Sequence, residues 1–311
     1  MTVDYIETNI EILKGNVPIP FDTYLKISYS PARYIKIVSA HHMPCFNFWN
    51  KITENKVSKI YVKAAEEINM IEHTLNKALV FNRSKNYNPD SLKNMVALTQ
   101  GVFSLINRKG LTEQSNSLLK KNLNEIVIMM QSKGVLFNFL SELKKENVSF
   151  YHAISRTVLS LAAAGNLQWK TSYSQSKIAL AAVLCDYSLK DNFERFLRDP
   201  KSFSIEESDI YSTHMLKTVQ MLESVRFPMG EEVKLAILHH HENFDGSGPL
   251  RVGKMSIYPL GHLIRIADEI TKLTVPSSHN LQPMSLLDAI VSLKESRNYS
   301  PTILSGYLKL I

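Results

Sequence analysis

Polar side chains recur at intervals of about thirty residues along the C-terminal two-thirds of this 311-residue chain: His152, Asp186, His214, the pair His240-His241, and Asp268. Each stands on or beside what the spacing of its neighbours predicts to be the apolar face of a helix. Carboxylates and imidazoles are rarely buried unless something pairs with them. One inward-facing His or Asp per helix or helical hairpin is the pattern of a bundle that builds a metal site from several facing helices. A mixed set of histidines and carboxylates suits iron, manganese or zinc, and does not suit calcium.

Each position has its own local reading. His152 sits at the edge of the apolar face of 150–164, beside Leu159. Asp186 ends the most apolar run of the chain, Ile178 to Cys185. His214 falls inside the sector marked by Ile210, Tyr211, Met215, Val219 and Met221; taken alone, such a histidine is more often a hydrogen-bonded core residue than a ligand. Asp268 lies near Ile264 on a helix predicted over 260–274. On a helix over 231–242, at 100° per residue, Val233 and Ile237 define one face. His240 and His241 flank that face, whereas His239 points well away from it, close to Leu235. Adjacent helical residues diverge too widely to chelate one ion comfortably, so the pair is expected to serve two ions of a close pair.

After the histidines comes ENFDGSG, a glycine-bracketed turn. Asp245, Gly246 and Gly248 allow a close backbone approach, so the stretch reads as a metal-and-anion site at a helix end.

The first part of the chain alternates instead. Residues 21–28 and 34–40 carry apolar residues at about every second position, with Ser30-Pro31 as the turn, and 57–62 is a third candidate strand. After Ala64 the spacing is helical to the end. The polar stretch NRSKNYNP (82–89) marks a boundary. We therefore expect a small α/β unit over 1–85 with a regulatory or partner-binding role, and an all-helical metal-binding domain over 86–311. His41 and His42, near Cys45, lack a fourth ligand and read as surface loop residues.

The remaining properties exclude more than they assign. The net charge of +7 is scattered in pairs such as Lys120-Lys121, which argues against a nucleic-acid polymer as partner. No apolar run approaches the roughly 20 residues of a membrane span. With two cysteines and no basic-then-apolar opening, the expectation is a cytoplasmic protein without a disulfide framework.

The segment HHENFDGSGPL (240–250) resembles the signature of HD-GYP domains, usually HHExxDGxGYP. The resemblance extends over roughly 151–274. The family's opening His-Ser motif is matched by His152, its His-Asp doublet by Cys185-Asp186, the histidine of its next helix by His214, and the Ala-Asp of the following helix by Ala267-Asp268. It implies an all-helical HD-superfamily fold and a two- or three-metal centre that hydrolyses cyclic di-GMP. For this chain it implies two divalent ions, iron first, with manganese or zinc as alternatives. His152, Asp186, His214, His240, His241 and Asp268 would be the ligands, with Asp186 bridging. Asp186 and Lys190 would act in catalysis, Asp245, Gly246 and Gly248 would shape the site, and Glu242 would support a ligand.

The departures are specific. The tyrosine of the GYP triplet is missing, because Gly248 runs straight into Pro249. Cys185 replaces the doublet histidine, either as a substitute ligand or as a small buried hydrophobe. Leu189 stands where a lysine is usual, with Lys190 next, and 274–280 carries no arginine. No Glu lies one turn before His152, as three-metal members would have. The expectation is a two-metal cyclic di-GMP phosphodiesterase. The alternatives are a weakened module that binds metal and a nucleotide or a signalling protein, and a phosphohydrolase acting on another nucleotide.

Overall fold

The computed structural model describes residues 4–10, 18–43, 45–83, 87–132, 134–143 and 147–311. Four strands open the chain: β1 (Tyr5–Asn9), β2 (Thr23–Tyr29), β3 (Ala32–Val38) and β4 (Lys59–Lys63), with helix α1 (Phe46–Glu54) between the last two. They form one antiparallel sheet in the order β1-β4-β2-β3. Tyr5 pairs with Lys63, and Tyr24 with Tyr61. The alternation read from sequence accounts for β2, β3 and β4, and the hairpin turns at Ser30-Pro31 as expected. Strand β1 and helix α1 were not anticipated. Ile60 and Val62 are buried in the same core as Phe21 and Trp49, while on the other face Tyr5 stacks on Tyr34, whose ring meets Tyr61 edge-on.

The rest of the described chain is helical: α2 (Glu67–Arg83), α3 (Pro89–Lys109), α4 (Glu113–Met130), α5 (Val135–Glu142), α6 (Val148–Asn166), α7 (Ser172–Leu184), α8 (Ile205–Ser224), α9 (Glu231–Leu238), α10 (Pro259–Thr274), α11 (Leu286–Ser292) and α12 (Pro301–Leu308). Their starts follow ordinary capping chemistry. Asn147 accepts from the Phe150 amide at the head of α6, and Ser204 and Glu207 close a capping box on α8. No helix among the described residues is long and apolar enough to cross a membrane. The expected boundary at 82–89 includes residues 84–86, which lie outside the described residues.

Helix α7 is the centre of the domain. From Ile178 to Leu184 every side chain is buried, as expected of a helix that is apolar on all sides. It packs against α4, α6, α9 and α10. Helix α6 packs in turn against α10. Asp186 follows the end of α7, so the wrapping that buries this helix delivers its carboxylate to the gap between α6, α8, α9 and α10.

Candidate metal centre

Two groups of side chains meet at that gap, and both include Asp186. Asp186, His214, His240 and His241 each offer a ligand atom, all within 4.8 Å of one another. His152, Asp186 and Asp268 form a second group by the same measure. Every expected ligand except Cys185 is therefore brought into one of the two. The Cys185 thiol is buried, contacts the Ala182 carbonyl at 3.5 Å and is pushed up by burial, which is the behaviour of a small hydrophobe.

In the first group, local backbone geometry aims the rings. His214 on α8 donates Nδ1–H to the Tyr211 carbonyl, and His240 donates Nδ1–H to the Ile237 carbonyl at 2.7 Å. With the protons on Nδ1, both Nε2 atoms carry lone pairs. These nitrogens lie 3.5 Å apart, and 3.2 and 3.3 Å from Asp186 Oδ1. Three acceptors converge with no proton between them, which is the arrangement a cation completes. His241 joins them, with Nδ1 3.3 Å from the Tyr211 hydroxyl. Burial lowers the pKa of His240 and His241, keeping both rings in the neutral form that metals require. Three nitrogens and a carboxylate fit iron, manganese or zinc.

The helix carrying the histidine pair ends sooner than expected. Helix α9 stops at Leu238, and 239–241 form a turn. The 100° rule therefore does not apply to His240 and His241, and both reach the same group rather than separate ones. His239 faces away, as expected, and accepts the Tyr258 amide at 2.9 Å. Another sequence expectation also needs correction: Met221 of α8 is exposed, not part of the buried sector.

The second group already contains cations. Arg156, one turn beyond His152 on α6, is 0% exposed. Its Nη1 donates to Asp186 Oδ2 and, at 2.9 Å, to Asp268 Oδ1; its Nε donates to the Ala182 carbonyl at 3.0 Å. Asp268 also accepts from His152 at 2.7 Å and pairs with Lys272 at 2.8 Å. Burial opposes ionisation of Asp186, but the Arg156 guanidinium outweighs it and holds the carboxyl well below the usual range. Asp268 is held low in the same way, chiefly by Lys272. Two carboxylates here face one guanidinium and one ammonium. Arg156 donates to an oxygen of each carboxylate, so the position a second ion would share is already filled by a guanidinium. The donor set of the first group thus fits an ion, whereas that of the second does not fit one while Arg156 keeps its place.

Asp186 divides its carboxylate between the two groups, Oδ1 toward the histidines and Oδ2 toward Arg156. With 11% of its side chain exposed, it also lines a small adjoining cavity of about 30 Å³. Phe103, Asn107, Arg156, Tyr187, Lys190 and Phe193 line the same cavity. Lys190 Nζ rests 3.4 Å from the Asn107 carbonyl and 5.1 Å from the centre of the Tyr187 ring.

The glycine loop is built around Glu242, which is 0% exposed. Its two oxygens accept the amides of Leu250 and Val252, both at 2.8 Å. Glu242 therefore holds the loop and supports no ligand directly. A Cβ on Gly248 would lie 2.6 Å from the Glu242 Cα, and Gly246 sits at φ +84°. Asp245 is exposed and accepts from the Ser247 amide and hydroxyl at 2.9 and 2.6 Å, closing the turn. All three residues shape the loop. Sequence reasoning missed Arg156, Lys272 and Tyr211. The available signal was helical spacing, because Arg156 and Lys272 each lie four residues after an expected ligand.

A family model described as HD domain matches residues 118–303. No curated protein matches the chain. Among solved structures, the chain resembles Bd1817, a HDG"Y"P protein from Bdellovibrio bacteriovorus, with a TM-score of 0.68, 18% identity and 99% of each chain covered. At that identity the likeness is one of fold, and it runs through the N-terminal sheet as well as the helices.

Proposed function

This chain belongs to the HD-domain family, and we propose that it is a metal-dependent phosphodiesterase that hydrolyses cyclic di-GMP. The observation that supports this reading best is the convergence of the His214 and His240 Nε2 atoms on Asp186 Oδ1 beside a cavity. Asp186, His214, His240 and His241 would hold a divalent ion, iron first, with manganese or zinc as alternatives. An ion there supplies Lewis acidity for a phosphoryl oxygen and for the hydrolytic water. Of the two ions that the family resemblance implies, the second would have to share Asp186 with His152 and Asp268, where Arg156 now lies.

The chain's own residues supply the rest. Carbonyl bonds fix the two imidazole rings before substrate arrives, so orientation costs nothing at the moment of reaction. Lys190, on the cavity wall with Asp186, meets a phosphate or the leaving oxygen. Burial of the ligand set excludes bulk water from all but the open side of Asp186. The N-terminal unit, residues 1–85, carries the regulatory or partner-binding role.

A second reading has specific support. The missing tyrosine after Gly248 and the buried Cys185 fit a module that binds metal and nucleotide, or a signalling protein, with weakened turnover. The test is incubation of the metal-loaded protein with cyclic di-GMP and chromatography of the products, with Asp186→Ala as control and other nucleotides as competitors. Linear product formed by the wild type alone is the expected result. Tight binding without turnover would replace the catalytic reading with the second one, and preference for another nucleotide would replace the substrate.

A further inference from the structure

We infer that Arg156 takes the place of a second metal ion, so that this centre works with one divalent ion and one built-in guanidinium. The inference rests on the metal reading above and deepens it.

The geometry is that of substitution, not of mere proximity. The oxygens that would join His152 in holding a second ion belong to Asp186 and Asp268. Arg156 Nη1 donates to an oxygen of each. The contact to Asp186 uses Oδ2, leaving Oδ1 for the histidine group. One carboxylate therefore spans a metal position and a guanidinium, as it would span two metals. The Arg156 Nε bond to the Ala182 carbonyl fixes the plane of the guanidinium from the side of α7.

Charge supports the same conclusion. Asp186 and Asp268 bring two negative charges, and Arg156 and Lys272 bring two positive ones, so the second group is neutral as it stands. One divalent ion beside the histidines leaves the centre with two net positive charges, suited to a phosphodiester anion. A second ion would add two more within a region where His152, Arg156 and Asp268 are at most 1% exposed, and uncompensated buried charge is strongly disfavoured. Arginine suits the role because it stays charged when buried and donates in a fixed plane. Arg156 also lines the cavity, and its Nη2, although buried, has no hydrogen-bond partner among the described residues. A buried N–H without a partner is costly, so the guanidinium is held here by its two carboxylates and not by a fully satisfied structural network.

The test is manganese titration of the chelator-treated full chain, read by elemental analysis and electron paramagnetic resonance. The wild type should bind one ion per chain with the signal of an isolated manganese. Arg156→Ala should bind two, with the signal of a coupled pair, and Arg156→Lys, which keeps the charge, should bind one. Two coupled ions in the wild type would overturn the inference. One ion in Arg156→Ala, with the fold intact by circular dichroism, would overturn it as well. If that variant does not fold, Arg156→Gln, neutral but still able to donate, gives the same reading. No ion in the wild type under any loading would remove the metal reading itself, and the inference with it.

Discussion

The Nε2 atoms of His214 and His240 face each other at 3.5 Å while each ring donates its other nitrogen's proton to a backbone carbonyl. Two lone pairs held together with Asp186 Oδ1 in a dry site repel one another, and a cation removes that repulsion. Manganese or zinc should therefore raise the melting temperature of chelator-treated protein. His214→Ala and His240→Ala should each weaken metal affinity by more than about 100-fold, beyond the 10- to 100-fold typical of changes to supporting bonds. Differential scanning fluorimetry across a metal series would show this; an unchanged response in either variant would remove that histidine from the site.

The glycine loop should be sensitive at one position. A methyl group on Gly248 would stand 2.6 Å from the Glu242 backbone and 2.7 Å from its carboxylate. Gly248→Ala should cost about 1–3 kcal/mol, the usual range for overpacking, measured as a lowered urea midpoint with an unchanged slope. Glu242→Ala strands the Leu250 and Val252 amides and should cost a similar amount or more.

Acid should destabilise the metal-free chain through His262. This ring is 1% exposed, and its Nε2 accepts the Ser300 amide at 2.8 Å, so it must be neutral in the fold. Burial depresses its pKa to about 4. The unfolded chain, with the ordinary value near 6.5, binds the proton first as pH falls. The contribution is therefore complete above about pH 6.5 and is lost as pH drops toward about 4, a change of about 3 kcal/mol. Urea melts from pH 7 to 4.5 should show the decline, and His262→Gln should flatten it. Equal slopes for the two proteins would assign the acid sensitivity elsewhere.

Lys190 lines the cavity but belongs to neither ligand group. Lys190→Ala should leave metal content unchanged and lower turnover of cyclic di-GMP by about 100-fold, as for loss of one group that stabilises developing charge. Joint measurement of metal content and rate separates this role from a structural one, since a structural role would lower both.

Much of this arrangement was legible in the sequence because it rests on periodicity. Helical spacing from Ala64 onward, the all-apolar run that became α7, and single polar residues on apolar faces led to His152, Asp186, His214 and Asp268. The misreadings came where local pattern competes with tertiary context. The 231–242 stretch has helical spacing to its end, yet the chain turns at His239 and brings both following histidines to one point. The phenylalanine- and tryptophan-containing stretch between two strands was passed over, although its spacing is helical: it folds as α1 and buries Trp49 and Ile52 on one side. Arg156 could not be assigned from α6 alone. An arginine on an apolar face is a liability in one helix, and it becomes satisfied only when α10 and the end of α7 deliver Asp268 and Asp186 to it. A glutamate directly after a histidine pair is equally silent about whether it serves a ligand or a loop.

If Asp186 and the three histidines hold a metal ion, elemental analysis of protein purified without chelator, wild type beside Asp186→Ala, will show it. The expected result is a bound transition metal in the wild type, near one ion per chain, and none in the variant. A wild type that stays metal-free after loading with iron or manganese, or an Asp186→Ala protein that keeps its metal, would contradict it.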